Sequence, residues 1–221
     1  MLKKHSEVHS HLLACLLTFC AGFIDAYTFI ERGGTLVAGQ TGNVVFLSVA
    51  IVHDHLGDIE VKLVTLLCFM TGIFLITLVR PKLTTSRRRL ITLVPLIILC
   101  IWAGFQPKNS WNMLIVPPLG FCMGVVTTAF TEVRGRFYNN AFMTGNLKRM
   151  MMALGEYISG RDKTQLSEAL FLSRLVLSFV IGAIISAKLT SIYRIETIWL
   201  VAILLIVILL AELFINRRLK N

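Results

Sequence analysis

A small set of residues in this chain is equipped to do chemistry away from water. Asp25 is the one aspartate inside a long apolar block, Leu12–Ile30. Placing a carboxylate in a membrane helix costs roughly 2.5–3.5 kcal/mol on insertion scales, so such a group must face protein or water. A proton, a cation or backbone N–H groups would each satisfy it. The structural alternative is an interfacial carboxylate reaching headgroups and paired with Arg32. The second signal is a motif that occurs twice, in Gln40-Thr41-Gly42-Asn43 and in Met143-Thr144-Gly145-Asn146. Glycine permits close backbone approach or positive φ. Thr and Asn are helix-capping types, and an apolar run follows each motif. The pattern predicts a non-helical stretch and then a helix that starts within the membrane. Such a helix start presents free N–H groups and a partial positive charge, which favours an anion or a carbonyl oxygen by roughly 0.3–2 kcal/mol. The candidate solute-binding residues are therefore Asp25, Gln40, Thr41, Gly42, Asn43, Thr144, Gly145 and Asn146. The competing reading is that the motifs cap and pack two helices.

Other chemistry is poorly supplied. A membrane-embedded enzyme needs paired carboxylates, several histidines or a Ser/His pair at membrane depth. The apolar blocks hold one Asp and no His away from their ends. No catalytic residue and no cofactor are expected. His53-Asp54-His55 has metal-binding residue types but no further ligand cluster, so it reads as a solvated loop. The five cysteines all sit in apolar blocks without a Cys-x-x-Cys pair and read as small packing residues.

The elements that must hold these residues follow from the composition. Of 221 residues, 56% are hydrophobic and 15% charged, more apolar surface than a soluble domain can cover. The blocks Leu12–Ile30, Val61–Val79, Leu90–Phe105, Met113–Phe130, Leu170–Leu189 and Ile198–Ile215 are each near the length that crosses a bilayer. Thr35–Val52 and Phe142–Ile158 are shorter or less regular. The net charge of +10 is carried at block ends, where basic residues fix topology and meet anionic headgroups. No basic helix with interleaved aromatics appears, which excludes nucleic acid as a partner. Lys3 and Lys4 place the N-terminus in the cytoplasm. The loop from Arg80 to Arg89 then falls inside only if Thr35–Val52 dips in and returns. The same path puts Arg134, Arg136, Lys148, Arg149, Arg161, Lys163, Arg217, Arg218 and Lys220 inside. The expected fold is all-α: a polytopic membrane protein in a bacterial-type inner membrane. It has about six transmembrane helices plus two broken or re-entrant segments, one domain over 1–221, and both termini cytoplasmic.

The two motifs hold matching places in the block order. Upstream of them, Gly22-Phe23-Ile24-Asp25 echoes Gly124-Val125-Val126-Thr127. Three spans per half is an odd number, so the halves, about 11–106 and 112–216, enter from opposite sides. That is an inverted repeat, the architecture in which transporters place a substrate site at the midplane. Thr127 or Thr128 stands where the first half has Asp25, so the halves are not chemically equal. Gly120-Phe121-Cys122-Met123-Gly124 is a close-packing pattern, and Pro117-Pro118 before it predicts an irregular helix start. Small-residue faces of this kind leave a homo-oligomer or an assembly role admissible.

At Ala21-Gly22-Phe23-Ile24-Asp25-Ala26, Gly33-Gly34, Gln40-Thr41-Gly42-Asn43 and Met143-Thr144-Gly145-Asn146-Leu147, the chain resembles the YoaK-like bacterial membrane proteins. The resemblance spans essentially the whole chain and implies a multi-pass membrane protein. It supplies class and location rather than chemistry, because the family is largely of unknown function. The expectation is a small-solute transporter or channel in contact with the lipid bilayer, taking a small polar or anionic solute between the two motifs. The alternatives are a membrane binding or assembly protein and, behind it, a membrane-embedded enzyme.

Overall fold

The computed structural model describes the backbone of residues 2–52, 56–133 and 135–218, and the side chains of 11–52, 59–84, 87–133 and 135–214. His53-Asp54-His55, Arg134 and Lys220 lie outside the described residues, as do the side chains of Lys3, Lys4, Arg217 and Arg218, so the topology and metal readings that rest on them are not addressed.

Among the described residues eight α-helices follow one another: α1 (Leu2–Glu31), α2 (Gln40–Val52), α3 (Leu56–Val79), α4 (Thr85–Phe105), α5 (Val116–Ala129), α6 (Met143–Gly160), α7 (Lys163–Tyr193) and α8 (Ile198–Arg218). The one departure from an all-α chain among the described residues is a two-residue hairpin, β1 (Glu132–Val133) against β2 (Arg136–Phe137), turned at Gly135 with φ of 77°. Local chemistry explains several helix starts. The Thr84 hydroxyl accepts the Arg87 N–H at the head of α4, and Asp162 accepts the Thr164 N–H at the head of α7. Prolines occupy the first turn of α5, where their missing N–H costs nothing, after a 3-10 turn over Asn112–Leu114.

Among the described residues, five segments are long and apolar enough to cross a membrane: His11–Glu31, Ile59–Lys82, Arg87–Phe105, Asn112–Ala129 and Lys163–Phe214. The last is 52 residues long and contains both α7 and α8, joined by a 3-10 turn over Arg194–Thr197. Helix α2 has 13 residues, about 20 Å of rise, too short for a hydrocarbon core of about 30 Å. Helix α6 carries Lys148, Arg149 and Glu156 and is not among the spanning segments. Large apolar side chains such as Phe74, Ile98, Ile184 and Leu210 point outward from the bundle, the arrangement a lipid solvent stabilises.

The main packing pairs are α1 with α7, α3 with α5, α6 with α7, and α4 with α8. Glycines set the first two. A Cβ on Gly22 would lie 2.3 Å from the Phe179 carbonyl oxygen, and one on Gly182 would lie 2.2 Å from that of Phe19. On the other pair, a Cβ on Gly124 would lie 2.3 Å from the Phe69 oxygen, and one on Gly72 would lie 2.3 Å from that of Phe121. No side chain fits at such separations, so these backbones meet only because the residues are glycine.

Candidate functional site

The site begins with the chain's return after α1. Gly33 and Gly34 have φ of 81° and 66°, a conformation that glycine adopts freely. They turn the backbone back beside the helix it has just left. The returning stretch then meets Asp25, whose Oδ1 accepts the N–H groups of Val37 at 2.9 Å and Ala38 at 2.8 Å, while Oδ2 accepts that of Gly39 at 3.0 Å. Asp25 is 5% exposed. The expectation that it faces protein holds. Its partners are backbone N–H groups just ahead of the first motif, one of the solutions open to it from sequence.

The motifs do not cap their helices from outside. Thr41-Gly42-Asn43 and Thr144-Gly145-Asn146 lie in the first turns of α2 and α6. Each asparagine reaches back seven residues. Asn43 accepts the Leu36 N–H at 2.9 Å and donates to the Leu36 carbonyl at 2.5 Å. Asn146 accepts the Asn139 N–H at 3.1 Å and donates to the Asn139 carbonyl at 2.6 Å. Both side chains are almost fully buried. In the first half Asn43 also donates to Gln40 Oε1 at 3.0 Å, and Gln40 donates to the Val37 carbonyl at 3.0 Å. These amides satisfy an irregular backbone that water would otherwise have to serve. In the second half Thr127, at the position corresponding to Asp25, donates its hydroxyl to the Gly124 carbonyl at 3.0 Å.

Between the two motif segments lies a cavity of about 840 Å³. Asp25, Gly39, Gln40, Thr41 and Gly42 line it from one side, and Ala141, Phe142, Met143 and Thr144 from the other. Helix α7 lines its open side with Phe179, Ala183, Ile184 and Ala187. The structure thus brings Asp25, Gln40, Thr41, Gly42 and Thr144 to one space. Asn43, Gly145 and Asn146 are not part of its lining. The polar groups are few. Phe29, Ile30, Leu36 and Phe46 make the rest of the lining largely apolar.

Arg32 does not pair with Asp25. It is fully buried and donates to the carbonyls of Ala103 and Gln106 at 2.7 Å each and of Pro107 at 2.9 Å. Its Nε lies 3.3 Å from the Tyr27 hydroxyl, which itself donates to the Ile195 carbonyl at 3.0 Å. The last carbonyls of a helix lack intrahelical partners, and a planar guanidinium satisfies several at once. Arg32 therefore ties the end of α1 to the end of α4. An arginine followed by two glycines marks a helix end in the sequence, but nothing local tells which distant carbonyls it will reach.

The sequence profile of a family described as a protein of unknown function (DUF1275) matches residues 13–211. The chain belongs to this family. It is also 24% identical over 198 residues to the UPF0700 transmembrane protein YoaK of Bacillus subtilis (strain 168), covering 82% of this chain and 84% of that one. No solved structure matches. The YoaK-like membership read from the motifs therefore stands, and with it a multi-pass protein in contact with the lipid bilayer. For the DUF1275 family the description supplies no activity, so the chemistry must come from the site itself.

Proposed function

We propose that this DUF1275 protein moves a small solute across the bacterial inner membrane, as a transporter or channel without enzymatic activity, and that the cavity between the two Thr-Gly-Asn segments is its binding site. The observation that carries the reading is that single cavity, lined from both motif segments at once. On this reading α1, α3, α4, α5, α7 and α8 span, α2 and α6 are half-helices, both termini are cytoplasmic, and the halves are related as an inverted repeat. The matched glycine contacts support the repeat. Gly22 on Phe179 and Gly182 on Phe19 are answered by Gly124 on Phe69 and Gly72 on Phe121, and the Asn43 clip is answered by the Asn146 clip. Transporters built this way bind substrate where broken helices meet.

The lining narrows the solute class. Largely apolar walls with one carboxylate and a few hydroxyl and amide groups suit a small molecule with an apolar body and one polar group. A strongly anionic solute would meet the Asp25 charge at the start of α2. The second reading, a binding or assembly protein, has one observation in its favour: Asp25, Asn43 and Asn146 are all engaged in internal hydrogen bonds.

The test is aqueous access. In a cysteine-free background, Thr144→Cys should react with an impermeant thiol reagent applied from one side of the membrane, and Ala183→Trp should slow that reaction. Liposomes carrying the protein should show solute-dependent volume relaxation with small amphipathic solutes. A Thr144→Cys protein inert from both sides, with no flux above empty liposomes, would replace transport with the assembly reading.

A further inference from the structure

We propose that the end of the molecule remote from Arg32 holds a site for a phosphoryl oxyanion, formed by Arg80, Arg88 and Arg89. These three arginines, with Thr131, Glu132 and Tyr138, surround a separate cavity of about 290 Å³. Leu13 also borders it, about 14 Å along α1 from Gly22, the nearest α1 residue lining the space between the motifs, and the two spaces share no lining residue. A water takes about 30 Å³, so the cavity accommodates an oxyanion together with some of its hydration.

Two of the guanidinium groups are already anchored. Arg80 donates to the Thr128 carbonyl at 3.0 Å, at the end of α5. Arg89 pairs with Glu212 from α8, a carboxylate with 2% of its side chain exposed. Arg88 lies between them in function. Its Nε is buried and has no hydrogen-bond partner among the described residues. Glu132, the one acidic group in the lining, takes the Gly135 N–H at 3.1 Å. Three guanidinium groups therefore stand against two carboxylates, Glu212 paired with Arg89 and Glu132 bonded to the Gly135 N–H, and the balance is positive.

A topology signal does not require this arrangement. Positive charge on a cytoplasmic loop works while solvated, as in Arg87 next door, which is exposed. Gathering three guanidinium groups around one cavity, with an Nε taken from water, raises their energy unless an anion completes the site. A tetrahedral phosphoryl group offers several oxygens to several planar forks, and arginine suits it better than lysine. Free phosphate and the phosphate of an anionic lipid headgroup share this chemistry.

The experiment uses the full-length protein in nanodiscs of zwitterionic lipid, with inorganic phosphate as one probe and added phosphatidylglycerol as the other. Phosphate binding is read by calorimetry, and lipid binding by native mass spectrometry and melting temperature. Arg88→Gln should weaken whichever probe binds by about ten-fold or more, the equivalent of one lost charge-assisted bond. Arg87→Gln should leave it within about two-fold. Saturable phosphate binding that depends on Arg88 identifies a free anion. Phosphatidylglycerol binding that depends on Arg88, with no phosphate binding, identifies a headgroup. Failure of both probes, or equal effects of the two substitutions, overturns the site. If Arg88→Gln does not fold, Arg88→Lys keeps the charge and removes the fork, and it should still weaken binding while Arg87→Lys does not.

Discussion

Replacing Asp25 by asparagine separates an anchoring role from a titrating one. The carboxylate accepts three backbone N–H groups at 2.8 to 3.0 Å. Asparagine has nearly the same shape. Its Oδ1 keeps the bonds to Val37 and Ala38, but its Nδ2 then faces the Gly39 N–H, donor against donor. A buried donor left unpaired costs about 1–3 kcal/mol. The two retained bonds lose their charge assistance, about 1 kcal/mol each at the upper end. The expected net destabilisation is about 2–4 kcal/mol. For a chain of this size each kcal/mol moves the melting temperature by about 2–4 °C, so the Asp25→Asn protein should melt on the order of 4–16 °C lower. Asp25→Ala, which strands all three donors, should fall further. Tryptophan fluorescence or survival on size exclusion after heating, in one detergent, reads this directly. Glu60→Gln, at an exposed carboxylate, is the control and should not move. An Asp25→Asn protein that melts within about 1 °C of the parent would refute the anchoring argument. If it also lost flux, the carboxylate would have to act by carrying charge rather than by holding the loop.

The glycine contacts give a second test. Gly182→Ala puts a Cβ against the Phe19 carbonyl and should cost about 1–3 kcal/mol in thermal unfolding by overpacking. Gly155→Ala, with open space around it, should be neutral or stabilising by up to about 1 kcal/mol. Equal effects would mean the α1–α7 contact is looser than the structure has it. Asn43→Ala and Asn146→Ala each remove a two-bond clip on a buried backbone and should each lower stability by about 1–3 kcal/mol; two neutral results would reassign both asparagines. For topology, a cysteine at exposed Lys82 in a cysteine-free background should be labelled only after the membrane is opened, and labelling in intact cells would reverse the orientation.

The spanning helices were legible because the cost of placing residues in hydrocarbon is local: it depends on the length and composition of each block. His11–Glu31 and Asn112–Ala129 follow the apolar runs read from sequence to within a few residues. The shortness of α2 and the charged, less regular character of α6 were legible for the same reason. So were the Pro117-Pro118 start of α5 and the packing role of Gly124. The direction in which Asn43 and Asn146 act was not. Their residue type fits a cap facing forward, but each bonds to backbone seven residues behind, which depends on how the preceding loop folds back.

By itself, then, the sequence determined a multi-pass helical membrane chain, the positions of its long apolar blocks and the residues worth watching. The tertiary structure alone decided what those residues do. Asp25 could have met a proton, a cation or Arg32; it meets the N–H groups of Val37, Ala38 and Gly39 because the Gly33-Gly34 turn returns the chain to its side. Arg32 was left to cap α4, more than seventy residues away in sequence. Burial in a membrane is a property of a segment and is written in composition. A hydrogen bond is a property of two groups within about 3 Å, and only the packed chain brings those groups together.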